Sequence, residues 1–204
     1  MEAIILASGS PRRSQILTQM GVAFEKHAAE VDEHCALGAR EAVAELSQRK
    51  AQAVAAQFPG RVVLAADTLV ALDNQPLGKP KDEEDACRML ERLSGREHQV
   101  YTGVCVMDAQ GRAFHDIDAS DVCFRRLTKE EIRAYVQTGE PMDKAGAYAL
   151  QGGAGPWVTE VRGSRSNVIG LPWELTRKLL LAAGVEVPVT KEQDGMMKHG
   201  ADST

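Results

Sequence analysis

The sequence is short of several things at once. Aromatic residues make up 4% of its 204 positions, too few for a surface that grips single strands by stacking on bases. Positive charge is in deficit too, with 24 Lys and Arg against 29 Asp and Glu and a formal net charge of −5. A nucleic-acid-coating surface is thereby disfavoured. No stretch approaches the roughly 18 uninterrupted apolar residues of a membrane-spanning helix, so no membrane partner is expected. The opening MEAIILASGSPRR sets an acid before a short apolar run and bases after it, the reverse of a secretory signal. Four cysteines, Cys35, Cys87, Cys105 and Cys123, form no CxxC pair. A chain of this size needs no disulfide staples, and a reducing cytoplasm is the expected compartment. Chemical signatures are missing as well. There is no GxxxxGK[ST] loop, no HExxH and no GxSxG, the histidines are scattered, and Gly152-Gly153-Ala154-Gly155 lacks the dinucleotide spacing. Nucleophilic catalysis by Ser or Cys has little support.

What is present is an ordinary globular balance, 44% hydrophobic and 26% charged, with strand and helix signals interleaved. Ala3 to Ala7 is apolar throughout, as in a strand buried on both faces. Ser10 stands where an N-cap belongs and Pro11 suits a first helical turn, with Gly21 ending that helix. A second strand is expected around Val22 to His27. Arg40 to Phe58 predicts a long helix stopped by Pro59-Gly60. Val62 to Ala66 follows as another apolar run ending at Asp67-Thr68, continued through Leu69 to Leu72, and Asp73 to Pro76 as a turn. Asp82 to Leu93 predicts an acid-started helix. Gln99 to Met107 and Arg112 to Arg126 predict a hairpin, and Thr128 with Glu131 a capping box. After a Gly-rich stretch (Gly146 to Gly155) come a strand near Trp157 to Arg162 and a helix from Pro172 to Gly184. Residues 1–189 are expected to form one domain, and the polar tail from Thr190 to be disordered. The interleaving predicts an α/β protein on a mixed sheet.

Five groups of residues sit oddly in that scheme. Arg12 and Arg13 fall in the first turn of a helix, where the dipole and free N–H groups favour anions. They are either solvated surface cations or partners of an anion held at that helix start beside the Ser8-Gly9-Ser10 loop. Lys50 shares a helical seam with Val43, Leu46, Ala53 and Gln57. It either snorkels outward or reaches a buried carboxylate or ligand phosphate, and spacing alone does not choose. Asp67 ends an apolar run, where α/β sheets gather ligands; it is a turn former or a carboxylate able to take a proton from water or hold Mg²⁺. Glu33 is weaker by itself, since most acids in polar connections are solvated. Lys79 is presented by a loop that Pro80 stiffens. In Asp143-Lys144-Ala145-Gly146-Ala147-Tyr148 and Gln151-Gly152, small residues allow close approach and the Gln151 amide can read a base edge.

Together these segments resemble the Maf family of nucleoside triphosphate pyrophosphatases. The resemblance runs in order through LASGSPRR at 6–13, VDE at 31–33, LSQRKA at 46–51, AADTLV at 65–70, GKPKD at 78–82, LSGREHQVYTGV at 93–104, DKAGAYALQG at 143–152 and GSRSNVIGLP at 163–172. It implies a twisted mixed sheet flanked by helices, with two lobes around a central cleft, similar to the inosine triphosphate pyrophosphatases. It also implies hydrolysis between the α- and β-phosphates to give a monophosphate and pyrophosphate. Arg12, Thr68, Lys79 and Gln151 match the branch that prefers dTTP, UTP and some modified pyrimidine nucleotides. On this resemblance Asp67, Lys50 and Lys79 are the expected catalytic residues. Ser8, Arg12, Arg13, Thr68, Lys144 and Gln151 are expected to bind and select substrate. Glu33 and Asp67 are expected to hold a divalent cation, Mg²⁺ before Mn²⁺ or Co²⁺. Arg165 stands where the family often has Tyr and is expected to add a cation near the site. Homodimers are common in the family, though no sequence feature here requires one. The competing expectation is a nucleotide-binding regulator of cell division that hydrolyses slowly, which needs the cations but not Asp67.

Overall fold

A computed structural model describes residues 2–188; the tail expected to be disordered lies outside the described residues. Seven strands form one mixed sheet, six of them in the order β2-β1-β3-β5-β6-β7 and the seventh, β4 (Gln75–Leu77), paired with β3. β1 (Ile4–Leu6) pairs in parallel with β2 (Phe24–Lys26) and with β3 (Val63–Leu72). β3 runs antiparallel to β5 (Glu97–Met107), and β5 to β6 (Ala113–Phe124) in the expected hairpin. The Asp108 carboxylate closes that hairpin by accepting from the Gln110 and Arg112 N–H groups, both at 2.9 Å. β7 (Val158–Arg162) completes the far edge.

Alternation along β3 sorts the interior. Leu64 and Ala66 join α1 (Pro11–Gln19) and α6 (Trp173–Ala182) in one apolar cluster. Val70 and Leu72 join α3 (Glu83–Leu93) and α4 (Lys129–Val136) in a second on the same face. Thr68 lies between the two. Val63 and Ala65 face the opposite way, onto Ala51 and Val54 of α2 (Ala39–Ala55). Helices on both faces of a mixed sheet are what the interleaved pattern demands.

Several boundaries moved for local reasons. α2 ends at Ala55 rather than Phe58, because Gln57 and Phe58 switch to tighter bonds onto the Val54 and Ala55 carbonyls. Its buried seam runs Val43, Leu46, Lys50, Val54, and not through Ala53 and Gln57. Ser10 holds the N-cap position of α1 but makes no side-chain cap. Asp73 to Pro76 is not only a turn: β4 (Gln75–Leu77) pairs with the end of β3. α5 (Arg165–Ile169) stands where no helix was expected, started by the Ser164 hydroxyl accepting from the Asn167 N–H. All four cysteines are free thiols. No helix of the described residues is long and apolar enough to cross a membrane.

Candidate active site

The sheet leaves one gap. β1 pairs with β3 at Val63 and Leu64, and β4 pairs with the same edge at Val70 to Leu72. Residues 65–69 have no registered partner there. A cavity of about 650 Å³ opens at this gap, within the usual range for a small-molecule site. Its walls come from the loop before α1 with that helix's first turn, the 28–33 connection, α2, β3, the loop after β4, β5 at Val100, the 143–151 loop and the end of α5. Ser8, Arg12, Arg13, Glu33, Lys50, Asp67, Thr68, Lys79, Lys144 and Gln151 all line it. Arg165 does not, so the cation expected near the site from that position is not delivered; it begins α5, outside the cavity wall.

Lys50 turns inward. Its ammonium lies 2.6 Å from Asp67 Oδ1 and 2.7 Å from Glu33 Oε1. Both Lys50 and Asp67 are 8% exposed, whereas the Glu33 side chain is 53% exposed. The reach depends on Gly103, opposite Asp67 on β5. A Cβ there would stand 2.2 Å from the Val43 carbonyl oxygen of α2, so only glycine lets the helix lie close enough. The Lys50 hydrogen bond holds the Glu33 carboxyl below its usual range against the opposing effect of burial, with Lys79 and Arg13 adding to the positive field. Asp67 Oδ2 makes no hydrogen bond with the described residues.

The two arginines divide. Arg13 is built in: its Nε donates to the Gly170 carbonyl at 2.8 Å, Nη1 to Ser8 Oγ at 3.2 Å and Nη2 to Thr68 Oγ1 at 3.1 Å. Burial pulls its pKa down while Asp67 pulls it up, and guanidinium stays charged under either influence. Gly170, at φ 120°, makes this turn in a conformation side chains rarely adopt. Arg12 and Lys79, by contrast, line the cavity with no hydrogen bond or ion pair to the described residues, and are the cations left for an anion. Lys144 is already engaged, donating to the Glu140 carbonyl and to Asp143, both at 2.6 Å. Its charge shapes the wall more than it invites a ligand. Glu140 in turn accepts from the Gly153 N–H and the Tyr135 hydroxyl, clasping the turn that presents Gln151.

Thr102, Glu140 and Asn167 carry parts of this arrangement that residue-by-residue reading passed over. Thr102 left a trace, a lone hydroxyl in the interior run of β5, but such residues are usually just satisfied in place.

Among the described residues no cluster of three or more His, Cys, Asp or Glu is arranged to hold a metal. The two carboxylates, Glu33 and Asp67, are instead both paired with the Lys50 ammonium.

The fold and cavity define an α/β protein with a cationic pocket and a buried Lys–Asp pair at a break in its sheet. The Maf-like protein family model matches residues 3–183, and the chain belongs to that family. Relatives named dTTP/UTP pyrophosphatase match nearly end to end. The Anaeromyxobacter dehalogenans (strain 2CP-C) protein is 50% identical over 91% of this chain and 96% of its own length. That of Symbiobacterium thermophilum is 45% identical over 92% and 97%, and that of Myxococcus xanthus 47% over 91% and 94%. A Mycobacterium abscessus structure titled nucleoside-triphosphatase / dITP/XTP pyrophosphatase aligns with TM-score 0.42 and 19% identity, over 62% of this chain and 76% of that one. The fold assignment rests on the sheet itself.

Proposed function

We propose that the chain hydrolyses nucleoside triphosphates between the α- and β-phosphates, releasing pyrophosphate, with dTTP and UTP as preferred substrates. The observation that carries this is the convergence of eight separate stretches on one cavity, with a buried carboxylate pinned at one oxygen and open at the other. The activity of the named relatives supports the same reading.

In the reaction, Arg12 and Lys79 take up phosphate charge that an acidic protein must offset locally. Lys50 holds Asp67 through Oδ1. Oδ2 accepts a proton from water as the water oxygen bonds to the α-phosphorus. The bond from that phosphorus to the bridging oxygen breaks, and pyrophosphate leaves with the electron pair. Glu33 is the residue that would hold a divalent cation directly, with Asp67 reaching it through water so that Oδ2 stays free as base; Mg²⁺ or, with the same oxygen donors, Mn²⁺ or Co²⁺ would suit. Bound there, it would neutralise charge on the triphosphate oxygens. Arg13 and Ser8 brace the pocket, and Thr68 and Gln151 face the base. Four free thiols suit a cytoplasmic setting.

The test is pyrophosphate release from a panel of canonical and modified triphosphates, with Mg²⁺ and with chelator. Asp67→Asn keeps the Lys50 contact and nucleotide binding but loses turnover by about 10²–10⁴-fold, the usual worth of a positioned base. Turnover near wild type in that variant ends the assignment of Asp67 as base. Tight nucleotide binding without release from any nucleotide favours the regulatory alternative.

A further inference from the structure

We propose that Thr102, buried behind Thr68, sets the direction of the Thr68 hydroxyl and so makes the cavity select an imide-bearing pyrimidine, uracil or thymine, over cytosine. This rests on the function proposed above, in which the base lies against Thr68.

Thr68 and Thr102 stand directly opposite each other in the β3–β5 register, and their hydroxyl oxygens are 2.9 Å apart. Either could donate if the pair stood alone. It does not. Thr102 Oγ1 is also 3.1 Å from the main-chain carbonyl of Asn167, which has no proton to give, so that contact bonds only when Thr102 donates. A hydroxyl has a single proton. Thr102 therefore has none for Thr68, and Thr68 donates to Thr102. The opposite orientation would set two lone pairs against each other at the buried carbonyl, a costly arrangement away from water.

The other end is fixed as well. Arg13 Nη2 donates to Thr68 Oγ1 at 3.1 Å, and guanidinium cannot act as an acceptor. The relay thus runs one way, from Arg13 through Thr68 and Thr102 to the Asn167 carbonyl. Asn167 is itself immobilised, its side-chain amide donating to the Val100 carbonyl at 3.0 Å and to Ser120 Oγ at 2.9 Å. The Thr68 proton is committed inward and one lone pair is taken by Arg13. What Thr68 shows the cavity is a lone pair, an acceptor only.

Pyrimidines differ at the atom that meets such an acceptor. Uracil and thymine carry an N3–H donor between two carbonyl oxygens; cytosine carries a bare N3 lone pair. An acceptor-only threonine bonds the first and repels the second, and a site built to bond one polar group rejects analogues that lack it. Thr102 is a positioning residue: it touches no substrate and acts through Thr68.

The experiment compares kcat/KM for UTP and CTP in wild type, Thr102→Val and Thr102→Ser, with melting temperatures recorded alongside. Valine has the shape of threonine but cannot take the Thr68 proton, which becomes free to turn toward the cavity. The UTP-to-CTP ratio then falls by about tenfold, one hydrogen bond's worth, while serine preserves it. A merely structural role would lower both substrates together and leave the ratio unchanged; that result overturns the relay while leaving the proposed function standing. Wild type that hydrolyses neither nucleotide overturns the function and the relay with it. Should the valine variant fail to fold, wild type alone still decides. The relay predicts that 3-methyluridine triphosphate, which lacks N3–H, is a poor substrate beside UTP; equal turnover of the two refutes it.

Discussion

Replacing Lys50 by methionine separates charge from shape at the centre of the site. Methionine keeps much of the unbranched stem that packs in the α2 seam, so what is removed is chiefly the ammonium between Asp67 at 2.6 Å and Glu33 at 2.7 Å. The two carboxylates then fare differently. Glu33 has a side chain 53% exposed and returns to water at small cost. Asp67, 8% exposed, is stranded. Removing one partner of a buried ion pair costs about 3–5 kcal/mol. Asp67 keeps the attraction of Arg13 and borders an open cavity, which brings the expected loss to about 2–3 kcal/mol. At about 2–4 °C per kcal/mol for a chain of this size, the melting temperature drops by about 5–10 °C. Adding Asp67→Asn to Lys50→Met removes the stranded charge and recovers at least half of that drop, although the double variant stays inactive. Thermal unfolding of wild type, both single variants and the double variant, followed by circular dichroism near neutral pH, reads this directly. If Lys50→Met melts with wild type, or if Asp67→Asn restores nothing in its background, the Lys50–Asp67 pair is not what holds this part of the fold.

Two further outcomes follow from the same geometry. His98 is fully buried, with Nε2 2.7 Å from the Tyr148 hydroxyl, and burial lowers its pKa from 6.5 to about 4. The folded state therefore takes up its proton less readily than the unfolded one. The stability this provides is complete above pH 6.5 and is lost as pH falls toward 4, by about 2 kcal/mol at pH 5. His98→Gln flattens the acid limb of a denaturation-versus-pH profile across that window; an unchanged limb would mean that His98 does not resist protonation. Gly103→Ala drives a methyl into the Val43 carbonyl and lifts α2 from the sheet, costing about 1–3 kcal/mol and carrying Lys50 away from Asp67. Urea unfolding together with pyrophosphate release should show stability and turnover falling together, and a stable, fully active variant would contradict the close approach.

Long elements were legible in the sequence because each carries its own signal. β3 is largely apolar, β5 and β6 flank a turn sequence, α3 has the Asp82 cap and an acidic first turn, and α4 has its capping box. The site residues were legible for the opposite reason, as local misfits: cations at a helix start, a lysine in an apolar seam, an aspartate in a buried run. Family resemblance joined those misfits into one list of candidates. Short elements gave no such purchase. β4 is three residues with a proline at its centre, tolerable because it lies on an edge of the sheet. α5 is a single turn or so, held by the bonds of Asn167 and Ser166 to other segments, and elements that short draw their stability from packing. Commitment of charge was hidden as well. Arg12 and Arg13 are identical in the sequence, yet Arg13 spends its donors on three protein oxygens and Arg12 spends none on the described residues. Nothing in their spacing tells which faces Gly170.

Asp67 and Thr68 raise a geometric problem that the gap in the sheet resolves. Successive residues of a strand point to opposite faces, so within a fully paired sheet they could not serve one ligand. Asp67 does point toward α2, where Lys50 meets it, and Thr68 does point the other way, toward Arg13 and Thr102. Both line the same cavity because the edge of β3 is unpaired between β1 and β4, which opens a route around the strand from one face to the other. The parts of the site then divide by face. The ion pair belongs to the α2 side, where the proposed reaction activates water, and the hydroxyl relay to the α5 side, where the proposed selection reads the base. On that proposal a bound nucleotide crosses the strand edge to meet both. Loss of the gap, for instance by extending β1 past Leu6 or β4 past Leu77 along β3, would therefore disconnect the proposed selection from the proposed chemistry without touching a single residue of either.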